Sequence, residues 1–492
     1  MNILLVYPEY PETFWGFKHA LKFISKKATE PPLGLQTVSA MLPGNWDKKL
    51  VDLNITKLKD TDIIWADYVF LSAMSIQKKS VLLIMDKCKE LSAKVVAGGP
   101  LFTAESEDFP DIDYLVLNEA EITLPLFLED LANGCAKHLY STEEFADIST
   151  TPVPDWSLVD MKKYASMDIQ FSRGCPYNCD FCEIVQLYGR KVRTKTSAQV
   201  ISELDALYFA GWRNGVFFVD DNFIGNKKVL KKEILPAIIK WMAAKKNPFS
   251  FSTEASINLA DDPELMNLMA EAGFDSVFIG IESPNAESLA ESNKIQNKNR
   301  DMVESIHKIQ EKGMMVKGGF IIGFDSDPPK IFNKIIDFIE ESTIINAMVG
   351  LLNAPKGTSL YKRMKAEGRI LSGHSGNNTD LITNIKTKMD YESLVEGYKN
   401  VVKNIYTPKI YYQRVMKFMR QYKPPSNKSL KFHVGLFKPL LKTTFFLGIV
   451  GKERLYYWKL FFWTIFTKPK LFPLAMTLSV FGHHFRRVYE VL

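Results

Sequence analysis

The chain has 492 residues, 46% of them hydrophobic and 24% charged, a length that excludes a single ordinary core and a composition that excludes a disordered polymer. Five cysteines, three of them within eight positions, exclude a secreted disulfide framework, so a reducing, cytoplasmic setting is expected. The net charge of +6 hides an asymmetry: residues 401–492 hold 17 Lys and Arg against only Glu453 and Glu490, a balance of +15, while the remainder carries −9.

"NILLVYP" (2–8) is a continuous apolar run, as in strands buried on both faces, and it reads as a strand entering a loop rather than a signal peptide. "PLGLQTVSAML" (32–42) and residues 76–92 read as helices. "KKLVDLN" (48–54), "DYVFLSAMS" (67–75), "KVVAGGP" (94–100) and "DYLVLNEAE" (113–121) read as further strands. The alternation predicts an α/β fold, an open doubly wound, Rossmann-like sheet over residues 1–140. Such sheets bind ligands at the carboxyl ends of their strands, where Ser72, Ser75, Gly98, Gly99, Pro100 and Glu119 fall. Gly98-Gly99 reads either as a close approach to a ligand or as a tight turn.

Residues 141–160, dense in turn formers, read as a linker. A second alternation follows over 161–355. Its strands are expected at 168–174, 215–221, 249–256, 276–283, 316–323 and 345–354, with helices at 197–210, 227–246, 262–272, 298–312 and 328–341. Six βα units predict a partial (β/α)6 barrel with its chemistry at the carboxyl ends of the strands. From 356 to 492 helical signals dominate. "LYYWKLFFWTIF" (455–466) and "LFPLAMTLSVFG" (471–482) are too short to span a bilayer and are interrupted by Lys459, Lys468, Lys470, Pro469 and Pro473. A basic, aromatic helical domain reads either as lying on a membrane surface or as a cap packed on the other domains with its lysines solvated.

The cysteine cluster, "FSRGCPYNCDFC" (171–182), follows the first barrel strand and places Cys175, Cys179 and Cys182 in a C-x₃-C-x₂-C spacing. Three thiolates are one short of a structural zinc site, which would have to borrow Cys88 or Cys135. On a [4Fe-4S] cluster they leave one iron open to a substrate or cosubstrate.

This motif, after the first strand of a partial barrel, resembles the signature of the radical S-adenosylmethionine (SAM) superfamily. The resemblance implies that the amino and carboxylate groups of SAM take the open iron, and that Phe181 lies beside the adenine. Asp220, Asp221 and Asn222 of "VDDNFIG" stand where the family presents Gly-Gly-Glu to the SAM amino group; Asn222 also reads as a helix cap. Ser252, Glu254 and Glu282 would face the barrel interior toward the ribose or the methionine part, and Gly319 in "GGFIIGF" (318–324) the adenine. Arg173, Arg190 and Arg193 would offset cluster and SAM charge or only cover the surface.

The sheet in front of the barrel resembles the cobalamin-binding domain of the cobalamin-dependent radical SAM enzymes. Their D-x-H-x-x-G signature is absent, since His19 is the sole histidine of the first 135 residues and lacks that context. Cobalamin without a protein histidine is therefore expected. Residues 7–43, 171–196 and 448–487 resemble the subgroup containing the bacterial hopanoid C-2 methylases. The resemblance implies reductive cleavage of SAM, hydrogen abstraction from an unactivated carbon and methyl delivery from cobalamin, with no side-chain general base. The basic, aromatic C-terminal domain suits an apolar, lipid-like small-molecule substrate and peripheral contact with the inner face of the membrane ahead of nucleic acid, and an electron donor such as flavodoxin or ferredoxin is the expected partner. A non-methylating radical outcome, such as oxidative cyclisation, and an electron carrier without turnover are the alternatives.

Overall fold

The computed structural model describes residues 1–371, 375–424 and 437–490; the expected C-terminal domain thus has three segments outside the described residues. Ile3, Leu4, Leu5 and Val6 are fully buried on β1 (Asn2–Tyr7), as a central parallel strand covered on both faces requires. It is joined by β2 (Asp47–Asp52), β3 (Tyr68–Ser72), β4 (Val95–Gly98), β5 (Tyr114–Val116) and β6 (Leu139–Tyr140) in a parallel sheet of order β2-β1-β3-β4-β5-β6. The order reverses between β1 and β3, which opens a crevice at their carboxyl ends. β5 is shorter than the expected 113–121, because Asn118 adopts a left-handed φ of 63° and a helix begins at Ala120. The two-residue β6 lies just before the expected linker and is too short to give a periodic signal.

The linker is a structured strap. Asp147, Asp155 and Asp160 each accept a bond from the backbone two residues on, capping single turns at Ile148–Thr150, Trp156–Leu158 and Met161–Lys163. Trp156 and Tyr164 are buried, and the Tyr164 hydroxyl donates to Asp52 at 2.8 Å, tying the strap to the end of β2.

A second parallel sheet, order β14-β13-β12-β11-β10-β7, curves into the partial barrel. Its strands are β7 (Met167–Ile169), β10 (Gly215–Phe218), β11 (Ser250–Glu254), β12 (Phe274–Glu282), β13 (Met315–Ile322) and β14 (Ala347–Leu351), with helices between them at Ser197–Phe209, Leu235–Ala244, Pro263–Ala272, Met302–Glu311 and Ile331–Ser342. The expected strand 168–174 is divided: after β7, β8 (Ser172–Arg173) pairs antiparallel with β9 (Arg193–Thr194) and brackets the cysteine loop.

After β14 come helices at Ser359–Ala366, Tyr391–Ile405, Pro408–Gln421, Phe437–Thr443, Arg454–Thr467 and Phe472–Tyr489. Those from Tyr391 onward share one continuous hydrophobic core with the barrel, Leu360 and Met364 of Ser359–Ala366 pack in a separate small cluster with Phe324 and Leu352, and the first sheet has its own core on each face. The segment after β1 joins all three parts. Phe14 stacks on Phe485 at 4.1 Å, its carbonyl accepts from His484 Nε2 at 2.9 Å, and Trp15 sets its ring edge-on against Phe278 of β12.

Candidate active site

The carboxyl ends of the two sheets enclose a cavity of about 1000 Å³. One wall is the first sheet: Tyr7 and Tyr10 at and beyond the end of β1, Ser72, Ala73 and Met74 at and beyond β3, Gly99 and Pro100 beyond β4, Asn118 and Glu119 beyond β5. The other is the barrel interior, where alternate residues of each strand point inward. Asp168, Phe217, Ser252, Glu254, Phe278, Glu282, Lys317, Gly319 and Met348 do so.

The cysteine loop closes the barrel side. It leaves β8 at Gly174, whose φ is +92° and where a Cβ would sit 2.9–3.1 Å from the carbonyl oxygens of Lys191, Gly189 and Tyr188, so only glycine makes the turn. Cys175, Cys179 and Cys182 are half-buried, and Phe181 between them lines the cavity. Two amide side chains aim donors at the sulfurs: Asn222 Nδ2 lies 3.8 Å from Cys175 Sγ and Gln296 Nε2 3.7 Å from Cys179 Sγ. Lys294, 2.7 Å from Glu282, adds a positive field felt by all three thiols. Burial outweighs that field and pushes the free thiols up, Cys182 to about 12.

The sequence-predicted residues divide by environment. Asp220 is buried away from the cavity, accepting bonds from the backbone N–H of Phe171 and Ser172 and from the Ser172 hydroxyl, so it clamps β10 to the β7–β8 connection. Asn222 does not cap the following helix; its carbonyl oxygen accepts from Ser256 while its amide reaches Cys175. Asp221, Glu254 and Glu282 face the cavity. Burial, then the neighbouring Asp220, pushes Asp221 up to about 7, and burial, then Asp221, pushes Glu254 up to about 8. Among the described residues no cation pairs with either within 4 Å. Glu282 adopts φ 62° where β12 shifts register, a strained backbone that aims its carboxylate at Lys294. At Gly319 a Cβ would come 2.7 Å from the Phe278 ring.

On the first sheet, Ser72, Gly99 and Pro100 line the cavity, whereas Ser75 and Gly98 do not. A Cβ at Gly98 would lie 2.5 Å from the Val116 carbonyl and one at Gly99, with φ +90°, 2.6 Å from Ser72 Oγ, so the pair first serves strand packing and a tight turn. Glu119 is spent on an interdomain clamp: Arg193 reaches it at 2.8 Å, and Arg173 bridges it at 2.9 Å and Glu121 at 2.7 Å, all four side chains largely buried. These two arginines therefore pin the β8–β9 hairpin to the first sheet, while Arg190 stays exposed.

Cys88 is buried in the first sheet's core and Cys135 sits exposed near Asp130, so neither completes a zinc site with the loop. Among the described residues no three His, Cys, Asp or Glu side chains form a single-ion site. Three thiols with amide donors to sulfur fit a cluster. Asp221 and Glu254, which have no directly paired cation among the described residues, fit a ligand that brings positive charge. Among the described residues that line the cavity none is a histidine.

Sequence reading missed Lys294 and Gln296, which stand in a loop without pattern, and the trio of buried Asp168 with half-buried Glu30 and Lys317 on the cavity wall. Asp168 leaves Oδ1 without a partner and is pushed well above its ordinary value by burial and by Glu30. Lys317, a lone lysine within the apolar strand "VKGGFIIG", was the available signal.

Residues 169–339 match the family model of the radical SAM superfamily, and residues 358–492 match a domain of unknown function, DUF4070. An uncharacterized methyltransferase of Synechocystis sp. is 37% identical over the whole of this chain and 92% of its own length. The hopanoid C-2 methylase of Rhodopseudomonas palustris is 32% identical over 93% of this chain and 88% of its own length. The fold is similar to that of the radical SAM methyltransferase TsrM of Kitasatospora setae, solved with cobalamin and a [4Fe-4S] cluster bound, at a TM-score of 0.60 and 14% identity, covering 100% of this chain and 99% of that one.

Proposed function

The chain belongs to the hopanoid C-2 methylase family of cobalamin-dependent radical SAM enzymes, and on that premise we propose that it methylates an unactivated carbon of an apolar, hopanoid-like lipid. The observation that carries the reading is one cavity in which a three-thiol loop, the carboxylates Asp221 and Glu254 and the carboxyl edge of the first sheet meet. Cys175, Cys179 and Cys182 would hold a [4Fe-4S] cluster. Phe181, Asp221, Ser252, Glu254, Glu282 and Gly319 would surround SAM, with Asn222 supporting the loop. Ser72, Gly99 and Pro100 would meet cobalamin, while Glu119 holds the wall in place. When bound, these groups supply one-electron chemistry and a transferable methyl group.

The chain's own residues bind, orient and exclude water. Asp221 and Glu254 lose their protons as a cationic ligand enters and then anchor it. Trp15, Phe278 and Met348 give the barrel interior an apolar floor for a hydrocarbon. The reductant is a small electron carrier such as flavodoxin or ferredoxin, and the enzyme works at the cytoplasmic face of a membrane.

The test is anaerobic turnover of reconstituted protein with SAM, methylcobalamin and a reductant, using lipid extract as substrate. S-adenosylhomocysteine together with 5′-deoxyadenosine, and a lipid heavier by one methylene, is the expected result. 5′-Deoxyadenosine alone would replace the methylase by a non-methylating radical enzyme.

A further inference from the structure

A second pocket, of about 370 Å³, lies between residues 17–30 and the C-terminal helices, within the range of about 300–1,000 Å³ usual for ligand pockets. Its walls are almost wholly apolar, built from Phe17, Phe23, Leu440, Phe472, Met476 and Phe481. Phe17, Thr29, Glu30 and Lys317 line both this pocket and the catalytic cavity, so the two meet at a neck formed by those four side chains.

The other end of the pocket reaches the surface, where Ile24 and Thr477 on its rim are exposed. Helix Phe437–Thr443 supplies Leu440 to the wall and turns Phe437 and Leu441 outward. The exposed apolar face continues along the same helical run through Phe445, Phe446, Ile449 and Val450. Large exposed apolar surface of this kind marks an interaction site. Its charge selects the occupant: residues 437–470 carry seven Lys and Arg, and their one acid, Glu453, is buried against Arg486. Aromatic and aliphatic side chains interleaved with lysine suit an anionic bilayer.

We propose that the second pocket is a portal that takes the rigid hydrocarbon body of a membrane lipid from the bilayer and leads one end of it past the Glu30–Lys317 neck into the catalytic cavity. The inference rests on the methyltransferase reading and extends it, giving the C-terminal helices the work of binding substrate. The apolar walls of the second pocket keep the hydrocarbon out of water from the mouth to the neck.

The test uses full-length, cofactor-loaded protein and dehydroergosterol, a fluorescent polycyclic lipid, delivered from cyclodextrin and followed by fluorescence anisotropy. The wild type is expected to bind it. Thr477→Trp, which obstructs the rim at an exposed helical position, and Met476→Lys, which puts a charge in the wall, should each weaken binding at least tenfold. Leu83→Ser, exposed on the first domain, should bind as wild type does. No binding by the wild type, or wild-type affinity in Thr477→Trp, overturns the portal. Formation of S-adenosylhomocysteine and 5′-deoxyadenosine by the wild type tests the underlying reading separately: a protein that forms both but ignores the rim substitution refutes the portal alone.

Discussion

Glu254 and Asp221 face the cavity with no cation paired to either within 4 Å among the described residues, and burial holds their carboxyls at about 8 and about 7. A carboxyl raised in the folded state imposes no penalty at low pH and a growing one as pH climbs from its unfolded to its folded value. Protein without cofactors should therefore lose stability between about pH 5 and about pH 8. Glu254→Gln should raise its melting temperature by several degrees at about pH 8 and hardly at all at about pH 5, which calorimetry at the two pH values would read. A cationic ligand acts in the opposite sense. SAM affinity should rise over the same window, and Glu254→Gln should flatten that rise in a calorimetric titration. The amide donors beside the thiols give a second prediction. A hydrogen bond to sulfur stabilises the more negative, reduced cluster, and at about 1 kcal/mol per bond its loss is worth on the order of tens of millivolts. Gln296→Leu should lower the cluster potential by that amount in a redox titration followed by electron paramagnetic resonance, with the three thiols still loading iron.

The β8–β9 hairpin is the element on which the site's geometry turns. It carries the cysteine loop at its tip, and Arg173 and Arg193 fasten its stem to Glu119 and Glu121 at the start of the first sheet's last helix, Ala120–Ala132. Removing one member of a buried ion pair leaves the other charge stranded, a loss of about 3–5 kcal/mol. Arg173→Ala should therefore increase hydrogen exchange in both the loop 174–183 and the first turn of that helix, while the helices behind β11 and β12 exchange as before. Unchanged exchange at the loop would mean that the cluster site is set by the barrel alone. On β13, Gly319→Val would drive methyl groups into the Phe278 ring. SAM binding should fall at least tenfold, read by equilibrium dialysis, with the far-ultraviolet dichroism unchanged.

At the scale of the whole molecule, charge is segregated. The C-terminal helices hold the positive excess and the exposed aromatic face, and the rest is net negative. Among the described residues no helix is long and apolar enough to cross a membrane. Attraction to anionic lipid is worth about 1 kcal/mol per nearby Lys or Arg, so a handful of them can localise the chain reversibly. Full-length protein should sediment with anionic vesicles at low salt and be released as salt rises. The double variant Phe446→Glu, Phe466→Glu should bind at least tenfold more weakly, whereas substitution of exposed Leu83 and Leu126 on the first domain should leave binding intact. Equal sedimentation of all variants would make the helical face a cap and nothing more.

The local chemistry of this protein was legible in its sequence because it depends on short-range pattern. Alternating strand and helix signals announced both parallel sheets, and C-x₃-C-x₂-C after a strand announced the thiol loop, since turn geometry and ligand spacing are set by neighbours along the chain. Partnership between distant residues was not legible. Nothing in the sequence says that Glu119 meets Arg173 and Arg193 rather than a ligand, that Asp220 is walled into the backbone while Asp221 beside it faces the cavity, or that Lys317 and Glu30 stand at one neck. Those outcomes follow from how two sheets and a helical layer close on each other. Pairing and burial act through space, so the role of each charged group was decided only when the tertiary structure fixed which charge stood opposite it and how much water remained.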